Sequence, residues 1–309
     1  MKIGASVWPF KWQAPYEDTI KRISDLGFNA MELIAWSRSV LNDYYTDEKI
    51  EEIRGILDRE EMELSQLVST PEKMASPDEK ERRESIEHFR DLVEVGVEIG
   101  ATYVNTVSPY PLNLDYPDIK DRPLVQEQKM DIPAGFDWKK NWNDYIEVLR
   151  ECASICEDHG IKYTIEPHPY RYVRNSASML RILDHLDSEA IGMNFDTSHL
   201  YPSGELPQMA VYELGENIFH THLSDNNGYT NAHWRPGKGK IDWKGVLLAL
   251  KDVGFDGVLS IELEDVPGID KSGRFGEGDK STKELDREYV KAKEYLTNIT
   301  DEIGIELRK

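Results

Sequence analysis

A short apolar strand followed by an amphipathic helix recurs eight times along this chain of 309 residues. The period of two in the apolar segments and the longer helical period between them define each unit. Uninterrupted alternation of this kind predicts a parallel sheet covered by helices, and eight units favour a closed (β/α)8 barrel over an open doubly wound sheet. The predicted strands are Lys2–Ser6, Ala30–Ile34, Met62–Val68, Thr102–Val107, Ile161–Glu166, Ala190–Phe195, Ile218–Leu223 and Val258–Leu263.

Two further features support one barrel domain over residues 1–309. No glycine-rich dinucleotide fingerprint follows the first strand, which weakens the open-sheet alternative. The sequence also contains no linker and no short-period repeat that would divide it. Barrels of this class commonly occupy about 250 residues as a single unit.

The segment 108–137, after the fourth strand, departs from the pattern. It carries several prolines and no convincing period, and it is far longer than the usual connection of about 2–6 residues. Its many apolar residues, among them Tyr110, Tyr116 and Phe136, argue against a solvated linker. We expect an ordered insertion that packs over the barrel mouth or a neighbouring subunit and shapes a site for a glycoside or keto-glycoside.

The charge balance and the cysteines restrict the possible partners. Asp and Glu outnumber Lys and Arg by 58 to 37, giving a net charge of −21, which disfavours nucleic acid. Cys152 and Cys156 lie four apart in a helical pattern, where a disulfide is geometrically poor. With no apolar run suited to a signal peptide or membrane span, we expect a reduced cytoplasmic protein, with a homo-oligomer or an accessory subunit left open.

Four predicted strands deliver a charged or imidazole side chain at the C-terminal end, where barrel enzymes place their catalytic groups. These residues are Glu166, Asp196, His222 and Glu262, on strands five to eight. A site of two Glu, one Asp and one His suits Mn²⁺, Mg²⁺ or Co²⁺ better than a structural zinc. The sequence therefore predicts a divalent-metal site, with Mn²⁺ preferred, at one half of the barrel mouth.

The motifs around these residues resemble the xylose-isomerase-like TIM-barrel superfamily over nearly the whole chain. They are Glu166, Asp196-Thr-Ser-His199, His222-Leu-Ser-Asp225, Pro236-Gly-Lys-Gly-Lys-Ile-Asp-Trp243 and Ser260-Ile-Glu262. The resemblance implies a metal held by the four residues above and His199 near the substrate. Together with the barrel geometry, it suggests a sugar isomerase or epimerase in which Glu166 and Glu262 face each other across the mouth. They would transfer protons beside a metal-bound carbonyl through an enediolate.

Other reactions of the same superfamily remain open. A lyase or dehydratase acting on a 3-keto sugar or keto-glycoside is favoured by His168, two residues after Glu166, and by a missing arginine. Ketose epimerases carry that arginine six residues after the histidine of strand seven, where Gly228 stands here, although Arg235 or His233 could substitute. An endonuclease IV-like enzyme is disfavoured because no histidine ends strands three and four and the charge is acidic. A non-catalytic sugar-binding barrel would more plausibly have lost one of the four ligands.

Several other residues are candidates for binding a sugar substrate. Trp8 and Trp12 follow strand one, and their faces suit the apolar C–H surface of a sugar ring, although a hydrophobic plug is the alternative. Glu32 lies in the second predicted strand, Ala30–Ile34, and we expect it near the mouth after that strand, as a hydroxyl ligand or a helix cap; Asn105 is at the end of strand four. His220 could line the pocket or be a hydrogen-bonded core residue. Since no basic cluster marks a phosphate site, we expect a non-phosphorylated sugar.

Overall fold

Eight parallel strands close into a barrel in chain order, with β1 paired to both β2 and β8. The computed structural model describes residues 1–110, 132–266 and 279–308. The strands are β1 Lys2–Ser6, β2 Ala30–Ala35, β3 Glu63–Ser69, β4 Tyr103–Val107, β5 Lys162–Glu166, β6 Ile191–Asp196, β7 Ile218–Leu223 and β8 Val258–Ile261. The predicted (β/α)8 barrel and its strand order are therefore confirmed.

Helices connect the strands and enclose the barrel. They are α1 Glu17–Asp25, α2 Arg38–Tyr44, α3 Asp47–Arg59, α4 Glu79–Ile99, α5 Trp138–His159, α6 Ser176–Leu183, α7 Thr197–Leu200, α8 Pro207–Leu214, α9 Trp243–Asp252 and α10 Asp279–Ile303. The two long helices α4 and α5 begin at capping aspartates, Asp78 and Asp137, and end at Gly100 and Gly160 with positive φ. Aspartate at the N-cap and glycine with positive φ after the last turn are favoured at such positions, which explains where both helices begin and end.

Two helices are additions to the predicted pattern. Helix α2 lies between β2 and α3 and begins at Ser37, whose hydroxyl accepts the backbone N–H of Val40. Helix α7 is a single turn after β6, started by Asp196, whose Oδ1 accepts the N–H groups of Ser198 and His199. Both are too short to show an apolar period, so they are not visible as helices in the sequence.

Apolar side chains fill the space between the strands and the surrounding helices. Met31 and Leu33 of β2, Ile20 of α1 and Phe89 of α4 are among the fully buried members of this layer. The inner side of the barrel towards its mouth is instead polar. Glu32 is in register with Gln66, and His222 is in register with both Asp196 and Ser260. Such buried polar groups require hydrogen-bond partners, which the neighbouring strands supply.

The predicted insertion joins β4 to α5. Most of it, residues 111–131, lies outside the described residues, so the expectation that it packs over the mouth or a neighbouring subunit stays a prediction. At its start, Tyr110 lies under the guanidinium of Arg171, 4.2 Å from the ring centre. Arg171 also donates to the carbonyl of Ser108 at 2.7 Å. The start of the segment thus contacts the loop that follows β5, at the C-terminal ends of the barrel strands.

Within the described ranges, none of the helices is long and apolar enough to cross a membrane.

Candidate metal centre and active site

The side chains predicted as metal ligands converge at the C-terminal ends of β5 to β8. Glu166 ends β5, Asp196 ends β6, His222 lies near the end of β7 and Glu262 directly follows β8. One potential ligand atom from each lies within 4.8 Å of the others. The two glutamates are therefore much closer than an arrangement across the barrel mouth implies. All four side chains are 5% exposed or less.

The contacts inside this cluster fit a cation rather than a hydrogen-bond network. Nδ1 of His222 lies 3.6 Å from Glu166, 3.8 Å from Asp196 and 3.5 Å from Glu262, all too long for good hydrogen bonds. Asp196 Oδ2 and Glu262 Oε2 are buried, with no hydrogen-bond partner among the described residues. Since buried polar atoms are rarely left unpaired, these orphaned oxygens mark the place where a divalent cation fits.

Electrostatic interactions in the cluster shift the pKa values of the two glutamates in opposite directions. Burial raises the pKa of Glu262 well above its ordinary value. His222 opposes this shift, whereas the nearby carboxylates of Asp196 and Glu166 increase it. For Glu166, burial acts in the same direction, but His222 and His199 outweigh it and hold the pKa well below its ordinary value. Three crowded carboxylates around one imidazole form a strongly anionic site that a divalent cation would relieve.

Residues from the first half of the barrel contact three of the four candidate ligands. The indole Nε1 of Trp8, in the loop after β1, donates to Glu262 Oε1 at 2.7 Å. Asn105 of β4 donates to Glu166 Oε2 at 3.2 Å. Glu32 of β2 lies 2.8 Å from Nε2 of His222. Partners of this kind orient metal ligands and restrict the geometry that they present.

Three further imidazoles flank the ligand cluster on the side of Glu166 and Asp196. His168 and His199 stack with ring centres 3.6 Å apart, and His199 contacts His233 at 4.7 Å. His199 Nε2 lies 3.6 Å from Glu166 and 3.5 Å from Asp196, while its Nδ1 donates to Asn231 at 2.7 Å. His233 Nε2 is 3.7 Å from Glu262. The site therefore holds proton donors and acceptors beyond the ligands themselves.

Aromatic rings lie beside the opposite side of the cluster. Trp8 is buried and meets the ring of His222 edge-on, with centres 5.5 Å apart. Trp12 and Trp36 are half-buried and stack at 3.9 Å, and Trp36 also meets Trp8 edge-on. Trp8 is thus fixed by polar and aromatic contacts, whereas the Trp12–Trp36 stack retains solvent-accessible surface that could contact a ligand.

Other predicted site residues lie elsewhere. Glu32 does not reach the barrel mouth, since it is the third residue of β2 and is fully buried below the candidate ligands. Arg235 pairs with Glu288 of α10 at 3.1 Å and also contacts the carbonyl of Pro236. His220 is a buried, hydrogen-bonded core residue, the second of its two interpretations. Burial lowers the pKa of His220 to about 4, so it is neutral near pH 7.

Asn231 and Gln66 were not predicted as site residues, and His233 was predicted only as a substitute for a missing arginine. His233 reaches the site because the loop after β7 folds back through a bridge between Asp225 and Trp234. Asp225 holds that loop by accepting hydrogen bonds from Gly237 N, Ile241 N and Trp243 Nε1. The Asp225 and Trp243 positions were visible as motif residues, but the fold-back that carries His233 was not.

Comparisons with known proteins agree with this architecture. A family model described as a xylose isomerase-like TIM barrel matches residues 20–292. An inosose isomerase of Bacillus licheniformis is 31% identical over 197 residues, 60% of this chain and 62% of that protein. A D-psicose 3-epimerase of Ruminiclostridium cellulolyticum is 24% identical over 283 residues, 90% of this chain and 87% of the relative. The crystal structure of D-psicose 3-epimerase with D-tagatose from Clostridium cellulolyticum H10 superimposes with a TM-score of 0.76 at 20% identity, covering 97% of this chain and 99% of that one.

Proposed function

The chain belongs to the xylose isomerase-like TIM-barrel family, and on that premise we propose that it is a divalent-metal-dependent sugar isomerase or epimerase. The observation that carries the proposal is the convergence of Glu166, Asp196, His222 and Glu262 within 4.8 Å of one another. Relatives that are themselves a sugar epimerase and an inosose isomerase support the same class of substrate and reaction.

Glu166, Asp196, His222 and Glu262 would hold the cation. The three carboxylates and one imidazole favour Mn²⁺, with Mg²⁺ or Co²⁺ as alternatives, because oxygen-rich sites prefer these harder ions. When bound, the ion would polarise a sugar carbonyl and stabilise the negative charge that develops on proton removal. The orphaned Asp196 Oδ2 and Glu262 Oε2 supply the unpaired oxygens that such a site needs.

Glu166 and Glu262 would move the protons. Each has one oxygen near Nδ1 of His222 and a second oxygen directed elsewhere: Glu166 Oε1 lies 3.6 Å from His199, and Glu262 Oε1 accepts from Trp8. A carboxylate on each side of a sugar carbon allows one to take the α-proton and the other to return it. This is general base and general acid catalysis through an enediolate.

Neighbouring groups would orient the substrate and exclude water. His199 and His168 could bind sugar hydroxyls beside Glu166, and the Trp12–Trp36 stack offers an apolar surface for the ring's C–H groups. Asn105 and Trp8 were expected to bind the sugar. Their hydrogen bonds to Glu166 and Glu262 would instead hold these two glutamates in place. The substrate would be a small sugar or keto-sugar without a phosphate group.

Elimination from a 3-keto sugar or keto-glycoside is the second candidate, because specific side chains favour it. His168 lies 3.8 Å from Glu166, and His233 lies 3.7 Å from Glu262, so imidazoles stand beside both glutamates. Burial lowers the pKa of His168 well below its ordinary value, whereas, against the effect of burial, Asp196 and Glu262 raise the pKa of His233 to about 9. His233 is therefore the better group to protonate a leaving oxygen after α-proton removal, a step that epimerisation does not require. Gly228 also stands where ketose epimerases carry an arginine.

Proton–deuterium exchange can test the proposal and separate the two reactions. The protein is incubated in D₂O with Mn²⁺ and a panel of ketoses and 3-keto-glycosides, and products are followed by NMR and mass spectrometry. We expect deuterium at the carbon next to the carbonyl of an isomerised sugar, while loss of water or an aglycone would indicate a lyase. Exchange unchanged by EDTA, or equal in Asp196→Asn, would refute a metal-dependent reaction at this site.

A further inference from the structure

Glu32 is a buried carboxylate without a place in the proposed reaction. It is fully buried on the inner side of β2, below the ligand cluster. An ionised carboxylate is stable at such a position only when donors compensate for its lost hydration. Its contacts therefore indicate what it does.

Both oxygens of Glu32 are engaged by donors from three other strands. Oε1 accepts from the hydroxyl of Ser260 on β8. Oε2 accepts from Nε2 of Gln66 on β3 at 2.9 Å and lies 2.8 Å from Nε2 of His222 on β7. Since each of these partners can donate, the carboxylate is satisfied in its ionised form.

The imidazole of His222 lies between Glu32 and the proposed metal ligands. Nε2 is at hydrogen-bond distance from Glu32, whereas Nδ1 faces the carboxylates of Glu166, Asp196 and Glu262. Asn194 Nδ2 lies 3.1 and 3.2 Å from the two ring nitrogens and does not distinguish them. Turning the ring over would direct carbon atoms to both sides and lose both polar contacts, so the observed orientation is the favourable one.

Gln66 connects Glu32 to a second ligand. Its Nε2 donates to Glu32 and to Nδ1 of His220, and its Oε1 accepts from Thr164 at 2.5 Å. Thr164 also contacts Asn105, which donates to Glu166. The support for His222 and that for Glu166 thus belong to one buried network, which restricts the position of both ligands.

From this geometry we propose that Glu32 is the positioning residue that accepts the Nε2 proton of His222 and directs Nδ1 to the ligand cluster. It does not bind substrate. A carboxylate behind a ligating histidine fixes the tautomer and the ring orientation, and it makes the other nitrogen a stronger ligand. The inference rests on the proposed function for the identity of the cation, but the hydrogen bond itself exists without one.

The first test is spectroscopic and uses metal-free protein labelled with ¹⁵N-histidine. We expect a slowly exchanging, downfield Nε2–H signal from His222, identified by its loss in His222→Asn. In Glu32→Gln, which keeps the shape but removes the charge, the signal should move upfield and exchange faster. A wild-type Nε2–H that is absent, not shifted downfield or rapidly exchanging would overturn the proposal, even if Glu32→Gln fails to fold.

The second test is calorimetric titration with Mn²⁺. Glu32→Gln should bind Mn²⁺ about 10–100-fold more weakly than the wild-type protein, the usual effect of losing such a partner. The matched control is Glu205→Gln, which alters a half-buried carboxylate that accepts from Ser176 on α6 and should leave the affinity unchanged.

The titration also separates this proposal from the proposed function. Wild-type affinity in Glu32→Gln would refute the positioning role. A wild-type protein that binds no Mn²⁺, Mg²⁺ or Co²⁺ would instead refute the proposed function, and the Nε2–H signal would still decide the role of Glu32.

Discussion

The indole N–H of Trp8 lies 2.7 Å from one carboxylate oxygen of Glu262, although 254 residues separate the two along the chain. The strands that precede them, β1 and β8, are neighbours in the closed barrel. The hydrogen bond leaves the second oxygen, Oε2, unpaired and directed into the ligand cluster. Trp8 therefore determines which oxygen of Glu262 would face a cation bound in the cluster.

Replacing Trp8 with Phe should lower kcat by about 10- to 100-fold, because a hydrogen bond to a charged group contributes about 1.5–3 kcal/mol. The aromatic packing is largely kept, so we expect a smaller change in Mn²⁺ content at saturation. Steady-state kinetics and elemental analysis measure the two effects. Trp142→Phe is the matched control, since the described residues offer no acceptor to its buried indole N–H. Equal activity of both variants would show that the Trp8 hydrogen bond is dispensable.

Replacing Asp196 with Asn should abolish most metal binding and activity. Asn can still cap α7 through its side-chain oxygen, as Asp196 Oδ1 does, but the orphaned Oδ2 becomes an amide nitrogen that cannot coordinate a cation. Asp242→Asn makes the same chemical change at the cap of α9, away from the ligands, and should keep its metal. Full metal occupancy of Asp196→Asn by elemental analysis would count against the assignment.

Replacing Glu166 or Glu262 with Gln should lower turnover by about 10²-fold or more while part of the metal is retained. Each Gln keeps one oxygen for the cation but can no longer accept and return a proton. Substrate turnover and solvent deuterium exchange should be measured together for each variant. Normal turnover by Glu262→Gln would make the two-carboxylate scheme wrong, and His168 or His199 would become the leading candidate.

His88 should make the folded protein less stable at mildly acidic pH. It is buried on α4 beside Ser69, and burial lowers its pKa from 6.5 to about 4. Between these values the unfolded chain binds a proton that the folded protein does not. The free energy of unfolding therefore falls as pH decreases from about 6.5 to about 4.

His88→Gln removes this contribution. Between pH 7 and pH 4.5, the free energy of unfolding should fall by roughly 1–2 kcal/mol less in this variant than in the wild-type protein. This range allows for partial solvent screening of the imidazole. Urea unfolding at the two pH values measures the difference. His185→Gln makes the same substitution at an exposed position and is the matched control. An unchanged dependence in His88→Gln would show that His88 is protonated without cost in the folded state.

The barrel and the four strand-end residues could be predicted because both are local signals. A charged residue that ends an apolar strand is visible in the sequence, and consecutive parallel strands bring such ends together. Depth inside the barrel is not visible in this way. Glu32 was expected at the mouth although the predicted strand Ala30–Ile34 contains it, because its depth in the barrel and its register with Gln66 depend on how the sheet closes.

The flanking imidazoles were harder to place for a different reason. His233 enters the site from a loop, and its position depends on hydrogen bonds that Asp225 accepts from residues further along that loop. Gly239 is part of this arrangement, since an added Cβ would lie 2.2 Å from Asp225 Oδ1. A fold-back fixed by several tertiary contacts has no periodic signal that a single sequence could reveal.

The division of the barrel between ligands and their supports has a mechanical consequence. All four proposed ligands come from the second half of the chain, while Trp8, Glu32 and Asn105 hold three of them from the first half. A bound cation would therefore hold the two halves of the barrel together. It would strengthen the contacts between β4 and β5 and between β8 and β1, where the halves meet. Loss of the ion should weaken these two strand pairs first, so that amide protons of β1 and β4 exchange faster than those of β2 and β3.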